Sequence, residues 1–60
     1  MDADTLKIKR MEQGWTQRDL AKAIGVDPQT ISYWECERVK ITKPMQMLLE
    51  RIFKEARSAA

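Results

Sequence analysis

The chain has 60 residues and a formal net charge of only +2, with 11 Lys and Arg residues against 9 Asp and Glu residues. A chain this short can form one domain, residues 1–60, which buries only about 60% of the surface that its unfolded state exposes. One cysteine and no histidine exclude an internal disulfide and make a zinc site implausible. No apolar run approaches the roughly 20 residues of a membrane span. We therefore expect a small cytoplasmic domain that uses no metal or other cofactor and does not associate with a membrane.

The first two predicted helices are separated by Gly14. The first covers about residues 4–13, and glycine suits the left-handed position that ends a helix because it has no Cβ. Thr16 is a natural N-cap for a second helix over Gln17–Ile24, since its hydroxyl can accept a hydrogen bond from an early backbone N–H. Asp19, three residues after Thr16, approximates the reciprocal capping box.

The third predicted helix covers about residues 28–37. Gly25 supplies the stop for the helix before it, and Asp27 is the predicted N-cap. Pro28 stands at the first helical position, where its missing N–H costs nothing. A short turn of residues 25–27 therefore joins two short helices.

The fourth predicted helix covers about residues 44–57, with Thr42 or Lys43 as its cap. We expect its core side to use leucine and isoleucine, which leaves Met47 to spare. Phe53 belongs to the core, to a dimer interface or to both. The apolar residues recur at i, i+3, i+4, i+7, i+8 and i+11, the pattern of an amphipathic helix: Met45, Leu48, Leu49, Ile52, Phe53 and Ala56.

The turn at Gly25 forces the second and third helices to cross at a steep angle. Ala21 provides the small side chain that a close crossing needs, and we expect both tryptophans to lie in the core. The apolar residues available for the inner side of the pair are Leu20, Ile24, Val26, Ile31 and Trp34. The outer side of the third helix then presents Gln29, Thr30, Ser32 and Tyr33.

Charge is distributed unevenly around this outer face. No residue between Asp27 and Glu35 is charged, whereas basic residues lie on both sides: Lys7, Lys9, Arg10, Arg18, Lys22, Arg38, Lys40 and Lys43. A neutral reading surface with basic flanks suits a protein that binds a nucleic-acid groove. On charge alone, an ordinary solvated surface is an equally good interpretation.

The stretch TQRDLAKAIGVDPQTISYWE, residues 16–35, resembles the Cro/CI-type (Xre-type) helix-turn-helix family of phage and bacterial repressors. Arg10 and Gly14 also match the first-helix signature of that family, and the resemblance covers about residues 5–50. It implies an all-α, compact bundle of four or five helices of the lambda-repressor-like type. It also implies that the third helix enters the major groove of double-stranded DNA, and that homodimers bind pseudo-palindromic operators.

The resemblance implies a role for individual residues. Gln17 should bind a phosphate, and an ion pair between Arg10 and Glu35 should tie the first helix to the third. The residues implied to face base edges are Pro28, Gln29, Thr30 and Tyr33, and those implied to lie along the DNA backbone are Lys40 and Lys43.

The chemistry of these side chains fits the implied roles. Gln29 can grip adenine N6 and N7 together, and the methyl group of Thr30 can contact a thymine methyl. Ser32 and Tyr33 can each donate or accept a hydrogen bond. Arg18 is a further candidate phosphate contact, which adds affinity without reading sequence.

One position departs from the family pattern. Glu37 stands where the family commonly has glycine, so either the third helix continues past its usual end or Glu37 is strained. A fifth helix, which often mediates dimerisation in this family, has no room in the chain. We therefore expect the fourth helix, or the loop before it, to form the dimer interface.

The predicted function is sequence-specific DNA binding by a small, repressor-like transcriptional regulator encoded by a bacterium or a phage. The alternative is a protein-interaction module, or an antitoxin, whose fourth helix docks on a partner protein. An enzyme is disfavoured because the sequence has no histidine, no glycine-rich phosphate loop and no evident pair of carboxylates.

Overall fold

The computed structural model describes residues 1–58, which contain four α-helices and no strand. The predicted all-α bundle is thereby confirmed. Within residues 1–58, no helix is both long and apolar enough to cross a membrane. The helices are α1 (Ala3–Glu12), α2 (Gln17–Ile24), α3 (Pro28–Glu35) and α4 (Lys43–Ser58).

Side-chain caps determine where the first two helices begin. Thr16 Oγ1 accepts a hydrogen bond from the Asp19 backbone N–H at 3.1 Å, and the Asp19 carboxylate accepts one from the Thr16 N–H at 2.9 Å. This reciprocal pair is the predicted capping box at the start of α2. The start of α1 lies one residue earlier than predicted, because Asp2 acts as its N-cap and accepts a hydrogen bond from Thr5 N–H at 2.8 Å.

The turn between α2 and α3 has the predicted geometry. Gly25 adopts a left-handed conformation with φ of 80°, and the N–H groups of Gly25 and Val26 both donate to the carbonyl of Ala21, at 2.8 and 3.0 Å. Asp27 caps α3 by accepting a hydrogen bond from the backbone N–H of Gln29. Because Ala21 is buried where α2 meets α3, a larger side chain there would force the two helices apart.

All four helices contribute to one small core. Phe53 is only 5% exposed and its ring stacks on Trp15, with the ring centroids 6.0 Å apart. Of the alternatives open for Phe53, the structure therefore shows the core, whereas Met47 is 64% exposed. The buried cluster consists of Leu6, Leu20, Ala21, Ile31, Trp34, Leu49 and Phe53.

The third helix ends at Glu35, two residues before its predicted end at residue 37. The Arg38 N–H donates to the Tyr33 carbonyl at 2.9 Å, and the Glu37 N–H donates to the Trp34 carbonyl at 3.3 Å. This pair of bonds is a Schellman motif, which needs a left-handed residue just after the helix. Glu37 occupies that position with φ of 61°, so the chain makes the usual stop with a residue that is strained there.

We predict that Glu37→Gly raises the free energy of unfolding by about 0.5–1 kcal/mol. A left-handed L-residue costs about 1–2 kcal/mol, and the greater freedom of glycine in the unfolded chain offsets part of the gain. Urea denaturation measures the difference. Glu37→Gln is the matched control, because it removes the charge and keeps the Cβ. Equal stabilisation by both variants would attribute the effect to charge and contradict the strain argument.

Candidate nucleic-acid interface

The helical register of α3 separates a buried side from an outer side. Ile31 and Trp34 are buried against the other helices. Since residues four apart share a helix face, Gln29 and Tyr33 lie together at the centre of the opposite side. Of the residues predicted to read bases, Pro28 and Gln29 are exposed, and those that are half-buried are Thr30, Ser32 and Tyr33.

Gln29 and Tyr33 are in direct contact on this outer side. The Gln29 side-chain amide Nε2 donates a hydrogen bond to the Tyr33 hydroxyl oxygen at 2.6 Å. The Arg38 guanidinium lies over the Tyr33 ring, 5.9 Å from its centroid, which is within the range of a cation–π interaction. The outer face therefore carries an ordered group of side chains.

An ion pair fixes the inner edge of α3. Arg10 Nε lies 2.7 Å from Glu35 Oε2, and Arg10 Nη2 donates to Glu35 Oε1 at 3.2 Å, so the contact is bidentate. The side chains of Arg10 and Glu35 are only 12% and 5% exposed. Arg10 Nη1 also donates to the carbonyl of Trp15 at 2.7 Å, which ties the loop after α1 to the same pair.

Gln17 connects α2 to this ion pair. Its side chain is half-buried, and its Nε2 donates to Glu35 Oε1 at 3.2 Å. The amide nitrogen carries a second hydrogen, so a phosphate contact by Gln17 stays a prediction. The bond to Glu35 could not be predicted from the sequence, because the two residues are 18 positions apart and no local pattern links them.

The predicted phosphate-binding cations lie outside the core. Arg18, Lys40 and Lys43 are all exposed. Arg18 is in the first turn of α2, Lys40 is in the loop that follows α3, and Lys43 is the first residue of α4. Long exposed cations at these places can follow a DNA backbone without being held in one geometry.

Two exposed carboxylates are held in their charged form at helix starts. The backbone N–H of Thr16 and then its hydroxyl lower the pKa of Asp19 below its ordinary value. Hydrogen bonding from Thr5 lowers the pKa of Asp2 in the same way. Both carboxylates therefore complement the positive ends of α2 and α1.

The packed α2–α3 pair, its left-handed turn and the polar outer face of α3 define a helix-turn-helix domain. The sequence profile of the helix-turn-helix family matches residues 6–55. The chain therefore belongs to this DNA-binding family, in agreement with its Cro/CI-type sequence pattern.

Two curated relatives share part of this domain. They are the antitoxin HipB of Escherichia coli (strain K12) and the antitoxin HipB of Escherichia coli O6:H1 (strain CFT073). Each is 48% identical to the chain over 33 residues, which are 55% of this chain. The match covers 38% of the first relative and 35% of the second, so most of each relative lies outside it. No solved structure significantly matches the chain.

We predict that Glu35→Ala lowers the free energy of unfolding by about 3–5 kcal/mol, because it strands the Arg10 guanidinium in a nearly buried site. Urea denaturation at low temperature measures the loss. The double variant Arg10→Met with Glu35→Leu should recover most of it, since no unpaired charge is left. A double variant as unstable as the single one would show that the stranded charge is not the cause.

We also predict that Asp19→Asn makes the free energy of unfolding depend less on pH in the acidic range. Because the pKa of Asp19 is lower in the folded than in the unfolded chain, its stabilisation is complete above about pH 4 and is lost as pH falls through the folded pKa. Urea denaturation between about pH 2 and pH 6 tests this. Asp2 is unchanged in the variant, so its own acid response is retained. Parallel curves for the two proteins would contradict the prediction.

Proposed function

We propose that this chain is a repressor-like transcriptional regulator that places α3 in the major groove of a specific operator. The outer face of α3 is the observation that carries this proposal. It is polar and uncharged from Pro28 to Trp34, and its central residues, Gln29 and Tyr33, are accessible. Such a face can exchange hydrogen bonds with base edges without a large desolvation cost for charged groups.

In this proposal, the residues of α3 read bases. Gln29 pairs its amide with adenine N6 and N7, and the Thr30 methyl group contacts a thymine methyl. Ser32 and Tyr33 exchange hydrogen bonds with neighbouring base edges, while Pro28 packs against the DNA at the start of the helix. The half-buried positions of Thr30 and Ser32 support peripheral contacts, and the exposure of Gln29 supports a central one.

Exposed cations supply the sequence-independent part of binding. Arg18, Lys40 and Lys43 would each neutralise a phosphate, and Gln17 would donate its second amide hydrogen to another. Because the net charge of the chain is only +2, affinity for DNA depends on where these cations lie more than on total charge. Binding should therefore weaken steeply as salt concentration rises.

A homodimer on a pseudo-palindromic operator completes the proposal. Val39, in the loop before α4, and Met47, on the outer side of α4, are both exposed apolar residues. They support a contact between two copies through the loop and the fourth helix. The exposed free thiol of Cys36 agrees with action in the reducing cytoplasm of a bacterium.

A second candidate function is that of an antitoxin that docks on a partner protein. It is favoured by the 48% identity to antitoxin HipB over 33 residues. The exposed apolar residues suggest where such a partner would bind: α1 exposes Ile8 and Met11 close together, whereas α4 exposes Met47 alone. Docking through α1 would leave the outer face of α3 available for DNA.

Selection from random double-stranded DNA with the purified chain tests the main proposal. We predict a symmetric motif, and we predict that Gln29→Ala weakens binding to that motif by about 1–3 kcal/mol and relaxes preference at one base pair. Fluorescence anisotropy on the selected site and on random DNA measures both effects. Equal losses on the two DNAs would count against direct reading by Gln29.

Lys43→Ala should lower affinity for every sequence and reduce the salt slope by about 1. Lys54→Ala is the matched control, because Lys54 is an equally exposed lysine about 16 Å further along α4. An unchanged slope for Lys43→Ala would refute the phosphate contact. A chain that selects no motif at all would refute the proposed regulator and leave the docking module as the better candidate.

A further inference from the structure

The contact between Gln29 and Tyr33 restricts what each side chain can offer to a ligand. The Gln29 amide nitrogen has two hydrogens, and the bond to the Tyr33 oxygen, 2.6 Å long, uses one of them. The second N–H and the carbonyl oxygen Oε1 take no part in this bond. These are the donor and the acceptor that a bidentate contact with adenine requires.

The same hydrogen bond also restricts Tyr33, whose hydroxyl is the acceptor in it. Because its hydroxyl oxygen accepts a hydrogen bond from Gln29, its own hydrogen must point to a different partner. The ring is held between α3 and the Arg38 guanidinium, which lies 5.9 Å from the ring centroid. The backbone N–H of Arg38 donates to the Tyr33 carbonyl, which places the start of the Arg38 side chain beside Tyr33. Tyr33 is therefore a pre-oriented donor on the outer face of α3.

We propose that Gln29 and Tyr33 form one reading unit, in which Gln29 binds adenine and Tyr33 donates to a major-groove acceptor of a nearby base pair: guanine O6 or N7, adenine N7 or thymine O4. This inference rests on the proposed function. Four residues rise about 6 Å along a helix, and stacked base pairs are about 3.4 Å apart, so the two contacts fall within two base-pair steps. Tyr33 both determines specificity and positions the Gln29 amide.

The direction of the hydrogen bond determines which kind of groove atom Tyr33 can contact. If the Tyr33 hydroxyl instead donated to Gln29 Oε1, its oxygen could only accept a hydrogen bond from DNA. It would then contact cytosine N4 or adenine N6, which are the donors in the major groove. Every base pair carries both a donor and acceptors there, so the atom that Tyr33 contacts, and not the identity of the pair, reports the direction of the bond.

The test compares the unmodified chain with Tyr33→Phe, Gln29→Ala and the double variant. Selection from random DNA should give a motif with adenine and, within two base pairs, a second position at which one base pair is preferred. Tyr33→Phe should lose the preference at that second position and weaken the preference for adenine, with affinity reduced about fivefold to tenfold. The double variant should bind about as well as the weaker single variant, because either change already breaks the unit.

Tyr33→Phe keeps the ring beneath Arg38, so we expect an unchanged urea denaturation curve. Such a curve would show that the variant is folded and that its weaker DNA binding does not come from unfolding. A double variant whose loss equals the product of the two single losses would overturn the inference. A Tyr33→Phe variant that keeps the preference at the second position would overturn it as well. If the chain shows no sequence preference, the proposed function itself is refuted. If it selects a motif but the two substitutions act independently, only the coupling between Gln29 and Tyr33 is refuted.

Discussion

The buried ion pair between Arg10 and Glu35 is the interaction on which the orientation of the outer face of α3 depends. Removing two charges from water is costly, and their attraction compensates only when the geometry is good and other polar atoms are satisfied. Here the pair is bidentate, Arg10 also binds the Trp15 carbonyl, and Gln17 donates to Glu35. Side chains from α1, α2 and α3 thus meet at one carboxylate, which restricts rotation of α3 about its own axis.

This restriction gives α3 two unlike sides. The only charged side chain of α3 is turned toward α1, so the outer side carries polar groups without a formal charge. If this side enters a DNA groove, its groups lose water, and the free-energy cost is smaller for an amide or a hydroxyl than for a charged group. Arg18, Lys40 and Lys43 are placed on other segments, where they can stay hydrated. The fold therefore separates groups suited to specificity from groups suited to affinity.

Local chemistry made much of this predictable from the sequence. Two kinds of local feature could be predicted, because each depends on residues that are close together in the chain. They are the helix caps at Thr16 and Asp27 and the left-handed turn at Gly25. The end of α3 could be predicted only as two alternatives. The sequence does not show whether the helix continues past its usual end or whether Glu37 adopts a strained left-handed conformation. The stacking of Phe53 on Trp15 and the bond from Gln17 to Glu35 depend on tertiary contacts, which no short-range pattern encodes.

The size of the outer face of α3 also bears on the proposal that two copies bind one operator. A good base contact discriminates by about 1–3 kcal/mol, so the two central contacts proposed for Gln29 and Tyr33 supply about 2–6 kcal/mol per copy. Specific complexes exceed non-specific ones by about 4–10 kcal/mol, which a single copy reaches only at the upper end of its range. Two copies related by a twofold axis double the number of contacts and cover that interval. The short outer face of α3 is thus itself a physical argument for a paired, pseudo-palindromic site.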